Sequence, residues 1–333
     1  MKKLLLLMVA FVSLLLGTQN ASSLTIIRNY IGGTPPTNST GTGNLITIVN
    51  AACDVLETAI LDDHVITINY GWAPIGGGQH ALVSQDGIPS RETCGTVLFN
   101  NDNDPHHFSW YLDPSPLACT EATNYVEECI NLGSMPINST RFYQYPSSSQ
   151  HMDLFTAVLH EVGHALGMSY GNYTFIDECV DSDIDVASGP YAQTHIPLQT
   201  NFMTGAIISH IDYVSSRTLM SGSWAPGERV MPSALDILAW GQLCGFTKLN
   251  FDMAPVLTIG NSYVASDGKT KAKLSWIQPI PPPPGTKYVV QGCSDLTNNS
   301  WSKVNGTIAN NNGKYSLTVQ LSGSQKFFRL MAQ

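Results

Sequence analysis

Two histidines and a glutamate raise the first chemical question. His160-Glu161-Val162-Gly163-His164 sets two imidazoles four residues apart. On an α-helix that spacing stacks them one turn apart on one face, so both rings can aim a nitrogen at one ion about 2.0–2.1 Å away. Glu161 is offset by about 100° around the axis, beside such an ion and outside its ligand shell. From there a carboxylate can hold a water and take its proton, and zinc lowers the pKa of that water toward ~7. The implied chemistry is metal-assisted hydrolysis, with His160 and His164 as ligands and Glu161 as general base. A catalytic zinc site wants a third protein ligand and an open fourth position. The remaining histidines are His64, His80, His106, His107, His151, His195 and His210.

The motif needs a buried helix, and the flanking residues supply one. Leu154, Phe155, Val158 and Leu159 precede the histidines, Asp153 is a start signal, and Ala157 leaves space near the site. Gly163 costs about 1 kcal/mol of helix stability relative to Ala, which points to close packing at that position. Gly167 suits a sharp helix end. Upstream, Leu45, Ile48, Ala52, Val55 and Ala59 recur at helical steps and predict an amphipathic helix over Leu45–Leu61. Residues 24–44 read as a strand plus loop. Val65–Tyr70, Thr96–Phe99 and Phe108–Leu112 read as strands, and Pro232-Ser233 introduces a helix over Ala234–Leu243.

The run His160–Met168 (HEVGHALGM) resembles the metzincin zinc peptidases, whose active-site helix turns at a glycine after the second histidine. Leu219-Met220-Ser221 is similar to their Met-turn, with Met220 beneath the metal. Their short motif continues to a third histidine, but that position here is Tyr170. The stretch from His210 through Met220 to Pro232–Asp236 resembles the leishmanolysin-like branch, in which a distal histidine shortly precedes the Met-turn. The resemblance therefore implies Zn²⁺ held by His160, His164 and His210, with protein or peptide as substrate. Asp177 is the fallback third ligand, as a carboxylate after the glycine turn, and Tyr170 and His195 remain further alternatives. The resemblance also implies a helix and twisted sheet above the active-site helix. An edge strand there would bind an extended peptide by backbone pairing, and Thr96–Leu112 could supply it.

The chain has 333 residues and a formal net charge of −9, with no Lys/Arg run, which argues against a nucleic-acid partner. Lys2 and Lys3, the apolar stretch Leu4–Leu16, and Ala21 and Ser23 before a cleavage point predict a signal peptide over 1–23 and a secreted product. No later stretch is apolar enough for stable membrane insertion. Seven cysteines suit an oxidising destination, with Cys53–Cys94 and Cys119–Cys129 as plausible bridges. Asn-x-Ser/Thr sequons begin at Asn38, Asn138, Asn172, Asn298 and Asn305. Asp102 and Asp104 offer oxygen ligands that suit Ca²⁺, but their spacing lacks the EF-hand order and reads more simply as a solvated turn beside His106-His107. Tyr213 is a candidate oxyanion donor but reads more simply as an ordinary core residue.

Downstream of residue 252 the pattern changes to short alternating strands with turn signals at Pro281–Pro284 and Asn310–Gly313. This stretch loosely resembles a fibronectin-like module. The expected fold is thus α+β, with a metzincin-like catalytic domain over 24–252 and an all-β sandwich over 253–333. The expected function is a secreted zinc endopeptidase. Two alternatives stay open: an exported, non-catalytic zinc-containing binding protein, and a zinc hydrolase of non-peptide substrates.

Overall fold

The computed structural model describes residues 23–101, 109–118, 123–145, 150–212, 217–280, 287–296, 300–321 and 327–333. Outside them fall the signal segment up to residue 22, Asp102, Asp104, His106, His107, Cys119, Tyr213, Asn298 and the Pro281–Pro284 loop. The described chain is mixed α and β, mostly strand, with four helices and several sheets.

Four strands make the first sheet: β1 (Thr25–Gly32), β2 (Val65–Ala73), β3 (Gly78–Asp86) and β4 (Arg91–Asn100), in the order β1-β2-β4-β3. β1, β2 and β4 run parallel, while β3 returns antiparallel along β4 at the edge. Alternation along β2 and β4 sends Ile66, Ile68, Val97 and Phe99 fully into the core. Helix α1 (Leu45–Ala59) begins at Asn44, whose side chain accepts from the Thr47 amide. Its inward stripe of Ile48, Ala52, Val55 and Leu56 packs on helix α2 (Leu154–Ala165), which also lies against β3 and β4.

Every residue of α2 is buried. Such a helix is hydrophobic all round except where chemistry intervenes, and its N-terminus needs partners inside the protein. Asp153 provides them. It ends the two-residue strand β8 (Met152–Asp153), which pairs with β5 (Trp110–Tyr111), and accepts from the Thr156 amide as N-cap. Its carboxylate is gripped in turn by the fully buried Arg229 through Nε and Nη2, both at 2.8 Å. Arg229 also donates to Asp113 Oδ2, the Pro116 carbonyl and the Tyr145 hydroxyl, and its guanidinium lies 4.6 Å from the Phe155 ring centre. A planar, forked cation is the side chain suited to this bidentate role.

The hairpin β6 (Thr123–Leu132) and β7 (Met135–Gln144) is joined by β12 (Glu228–Val230), the strand that carries Arg229. Helix α3 (Tyr173–Glu178) follows α2 and leads into a small antiparallel sheet of β9 (Asp183–Asp185), β10 (His195–Thr200) and β11 (Ile207–Ile211). Helix α4 (Ala234–Cys244) closes the core, with Trp240 wholly buried. The first core reaches Met253, one residue past the expected boundary.

Beyond it lie β13 (Thr258–Ile259), β14 (Tyr263–Val264), β15 (Thr270–Ile277), β16 (Tyr288–Cys293), β17 (Ser302–Lys303), β18 (Ala309–Asn311), β19 (Lys314–Gln320) and β20 (Phe327–Ala332). They form two antiparallel sheets, one built on β15 and β19 and one on β16 and β20. A separate core of Leu274, Trp276, Val290, Leu317 and Val319 draws on both. Contacts to the first part include the Lys314–Asp54 ion pair, and Gly313 abuts the Leu117 backbone.

Two expectations change. The Cys53–Cys94 bridge is not formed: both are free thiols. Cys53 sits on the buried face of α1 beside Arg28, whereas Cys94 faces Asn69 on the sheet. Of the expected strand Phe108–Leu112, Trp110–Tyr111 forms β5 and Phe108 lies outside the described residues, while Thr96–Phe99 lies inside the longer β4.

Arg229→Met should lower unfolding free energy by about 3–5 kcal/mol, because it strands the Asp153 and Asp113 carboxylates in the core. Urea unfolding measures this, and a loss under about 1 kcal/mol would mean the network contributes little.

Candidate metal centre and cleft

His160 and His164 project from α2 one turn apart, and His210 arrives from β11. One ligand atom from each of the three lies within 4.8 Å of the others. The ring centres of His210 stand 5.0 Å from His160 and 5.3 Å from His164. The distal histidine is thus the residue that meets the pair. Asp177 sits on the exposed side of α3 and Tyr170 is half exposed, so neither joins the three. His195 is engaged elsewhere, between Asp183 and Asp185, with the Asp183 carboxylate raising its pKa.

The hydrogen bonds fix the tautomers. His160 Nδ1 lies 2.9 Å from the Leu219 carbonyl and His164 Nδ1 lies 2.5 Å from the Met168 carbonyl. A carbonyl only accepts, so both Nδ1 atoms carry the proton and donate it. Both Nε2 atoms are then bare lone pairs, yet they face each other at 3.0 Å. Two acceptors at that distance repel unless a cation stands between them. Adding a proton there is opposed by the surroundings. Burial and the neighbouring His210 push His160 down to about 3, and burial pushes His164 well below its ordinary value and His210 down as well. A cluster of neutral imidazoles with converging lone pairs is a donor set that suits zinc.

The turn under these rings is built from the chain beyond it. Ser233 and Asp236 form a reciprocal capping box at the start of α4. The fully buried Asp236 also accepts from the backbone amides of Leu219 (3.1 Å) and Met220 (2.8 Å). The 219–221 turn is thereby held so that its Leu219 carbonyl meets His160, and Met220 tucks beneath α2. Gly163 makes room: a Cβ there would stand 2.6 Å from Met220 Sδ and 2.9 Å from the Trp240 ring. Gly222 ends the same turn at φ +66°, and a Cβ there would press on the His210 ring at 2.8 Å. Gly167, at φ +126°, turns the chain out of α2 as the sequence suggests.

Glu161 is buried beside the triad, and desolvation pushes its carboxyl up to about 8. It fits because Gly78 has no side chain; a Cβ there would lie 2.6 Å from Glu161 Oε1. A cleft of about 720 Å³ opens over these groups. Residues 77–82 form one wall, and Trp110, Met152 and Trp224 give it apolar surface. The edge strand at the cleft is therefore β3; of the expected Thr96–Leu112, Thr96–Asn100 belongs to β4, inside the sheet, and residues 102–108 lie outside the described residues. Among the described residues β3 pairs only with β4, which leaves its other edge toward the cleft. Sequence reading passed over β3, although the Gly76-Gly77-Gly78 cluster before alternating residues was a usable turn-and-strand signal.

Comparison with known protein families, curated proteins and solved structures returns no match.

Gly163→Ala should destabilise by about 1–3 kcal/mol despite the better helix propensity, because the new methyl strikes Met220 and Trp240. Thermal unfolding should show partial recovery in the Gly163→Ala/Met220→Ala double variant. A Gly163→Ala chain as stable as the parent would refute this packing. A second expectation concerns pH in the metal-free protein. Below about 6.5 the unfolded histidines bind protons that the folded triad refuses, so stability falls as pH drops. Glu161 acts in the opposite direction. Unfolded it ionises near 4.5, but folded it holds its proton to about 8, so stability also falls as pH rises across that window. Glu161→Gln should remove the upper slope from a plot of unfolding free energy against pH; an unchanged slope contradicts this assignment.

Proposed function

We propose that the chain is a secreted zinc-dependent endopeptidase of metzincin type, closest to the leishmanolysin-like branch. One observation carries the reading: His160 and His164 face each other with bare Nε2 atoms, with His210 as a third imidazole within reach. A purely structural cluster would have no use for a buried carboxylate that has no partner among the described residues, and Glu161 is such a group.

His160, His164 and His210 would hold the ion. Zinc bound there would supply Lewis acidity to the scissile carbonyl and to water, and as an opposite charge would favour ionised Glu161. Glu161 accepts the attacking water's proton on its carboxylate and returns it to the departing amine, so one group serves as base and then acid. The open edge of β3 pairs with an extended substrate backbone, and Trp110, Met152 and Trp224 bury an apolar side chain. An extended strand laid along β3 passes Glu161 at Gly78, where the lack of a side chain leaves room for the carboxylate.

Glu161→Gln should retain stoichiometric zinc while cleavage of unfolded casein falls by at least about 10²-fold, and a zinc chelator should abolish the parent's activity. A fully metallated parent that cleaves no peptide bond would overturn the proposal, as would a Glu161→Gln chain of undiminished activity.

A further inference from the structure

The inner face of β3 is keyed residue by residue to the elements beneath it. Gly78, His80 and Leu82 alternate inward along the strand. Gly78 leaves room for Glu161, and Leu82 fits against Gly171, where a Cβ would lie 2.8 Å from the Leu82 Cβ. Between them, the His80 ring lies over that of His164, with centres 6.2 Å apart and planes only 21° from parallel. This is within the range of offset ring stacking.

His80 is not free to swing. Its Nε2 is 2.9 Å from Glu92 Oε1, and the two side chains are 3% and 1% exposed. Glu92 reaches this position because Gly95 lacks a side chain; a Cβ there would fall 2.0 Å from Oε1. Burying a carboxylate costs several kcal/mol unless it is paired, and an apolar pair of similar volume often fills such a layer as well or better. The proposed hydrolysis uses neither residue. His164 explains why a polar pair is nonetheless present. Its Nδ1 is tied to Met168, but that single bond leaves the ring able to rock about its Cβ–Cγ axis. A second, near-parallel ring beside it, itself anchored, restricts that freedom.

We infer that Glu92 and His80 form a positioning pair: Glu92 anchors the His80 imidazole, and His80 fixes the plane of the His164 ring and the aim of its Nε2. The inference rests on the proposal that the triad holds a metal. Neither side chain is one of the three ligands. The pair also ties β3, the strand that lines the cleft, to a ligand ring, so cleft wall and metal centre keep one register.

Cobalt(II) is the probe, because its visible absorption reports ligand geometry without turnover. The full chain and its variants are titrated with Co²⁺ after metal removal. Glu92→Leu and His80→Ala should alter the visible bands and weaken cobalt affinity about 10–100-fold, the usual effect of losing an outer partner of a ligating histidine. Glu92→Gln keeps an acceptor for His80 and should restore both properties. Leu82→Ala removes comparable packing from the same strand face but should leave the bands as in the parent. Bands and affinity unchanged in Glu92→Leu and His80→Ala would overturn the inference, and so would an equal change in Leu82→Ala. If either variant does not fold, His80→Gln retains the bond to Glu92 and loses only the ring; parent-like bands in that variant overturn the inference equally. A parent chain that binds no cobalt instead defeats the metal-site reading itself.

Discussion

Two unprotonated ring nitrogens held 3.0 Å apart in the interior are the constraint around which the structure is organised. Each is denied its own proton by a backbone carbonyl on the opposite side of the ring. Left alone, such a pair would relax by rotating apart or by taking up a proton. The surroundings oppose both: the Nδ1 bonds keep the rings from swinging apart, leaving at most a rocking motion, and burial disfavours the imidazolium. On the proposed reading this arrangement is preorganised for a cation, and contacts elsewhere in the core maintain it.

That support can be followed outward. Asp153 caps α2 and is locked by Arg229 from β12, so the start of the helix that carries His160 and His164 is fixed by a strand distant in sequence. Asp236 ties the first turn of α4 to the 219–221 turn, whose carbonyl sets the His160 tautomer. Small residues then let the parts approach: Gly163 over Met220, Gly78 over Glu161 and Gly222 against His210. Carboxylates set the distances between elements, and glycines permit them. A change at either kind of position would be felt at the rings even though none of these residues belongs to the histidine triad.

The core helices were legible from the chain alone because their signals are local. Leu45–Ala59 shows its 3.6-residue stripe, Asp153 and Ser233 are side-chain caps, and Gly163 and Gly167 sit where packing and helix exit require them. The role of His210 was legible only through resemblance to a family, since nothing near it in sequence marks it as a partner of His160. Strand β3 was missed because its outer residues are exposed and its inward set is Gly78, His80 and Leu82, which is not a hydrophobic alternation. The site itself demands those residues, a gap for a carboxylate and a ring for a ring. The short strands β9–β11 escaped for a related reason: their pairing is tertiary, and Pro197 and His195 are weak strand signals. The expected Cys53–Cys94 bridge rested on compartment and spacing, which say nothing about which face of α1 a thiol occupies.

X-ray absorption at the zinc edge, on purified protein loaded with one equivalent of Zn²⁺, addresses the coordination directly. Three imidazole nitrogens at about 2.0–2.1 Å and one further light scatterer are expected, with one imidazole lost in His210→Ala. A spectrum showing two imidazoles or a sulfur ligand in the parent, or one unaltered by His210→Ala, would contradict the account.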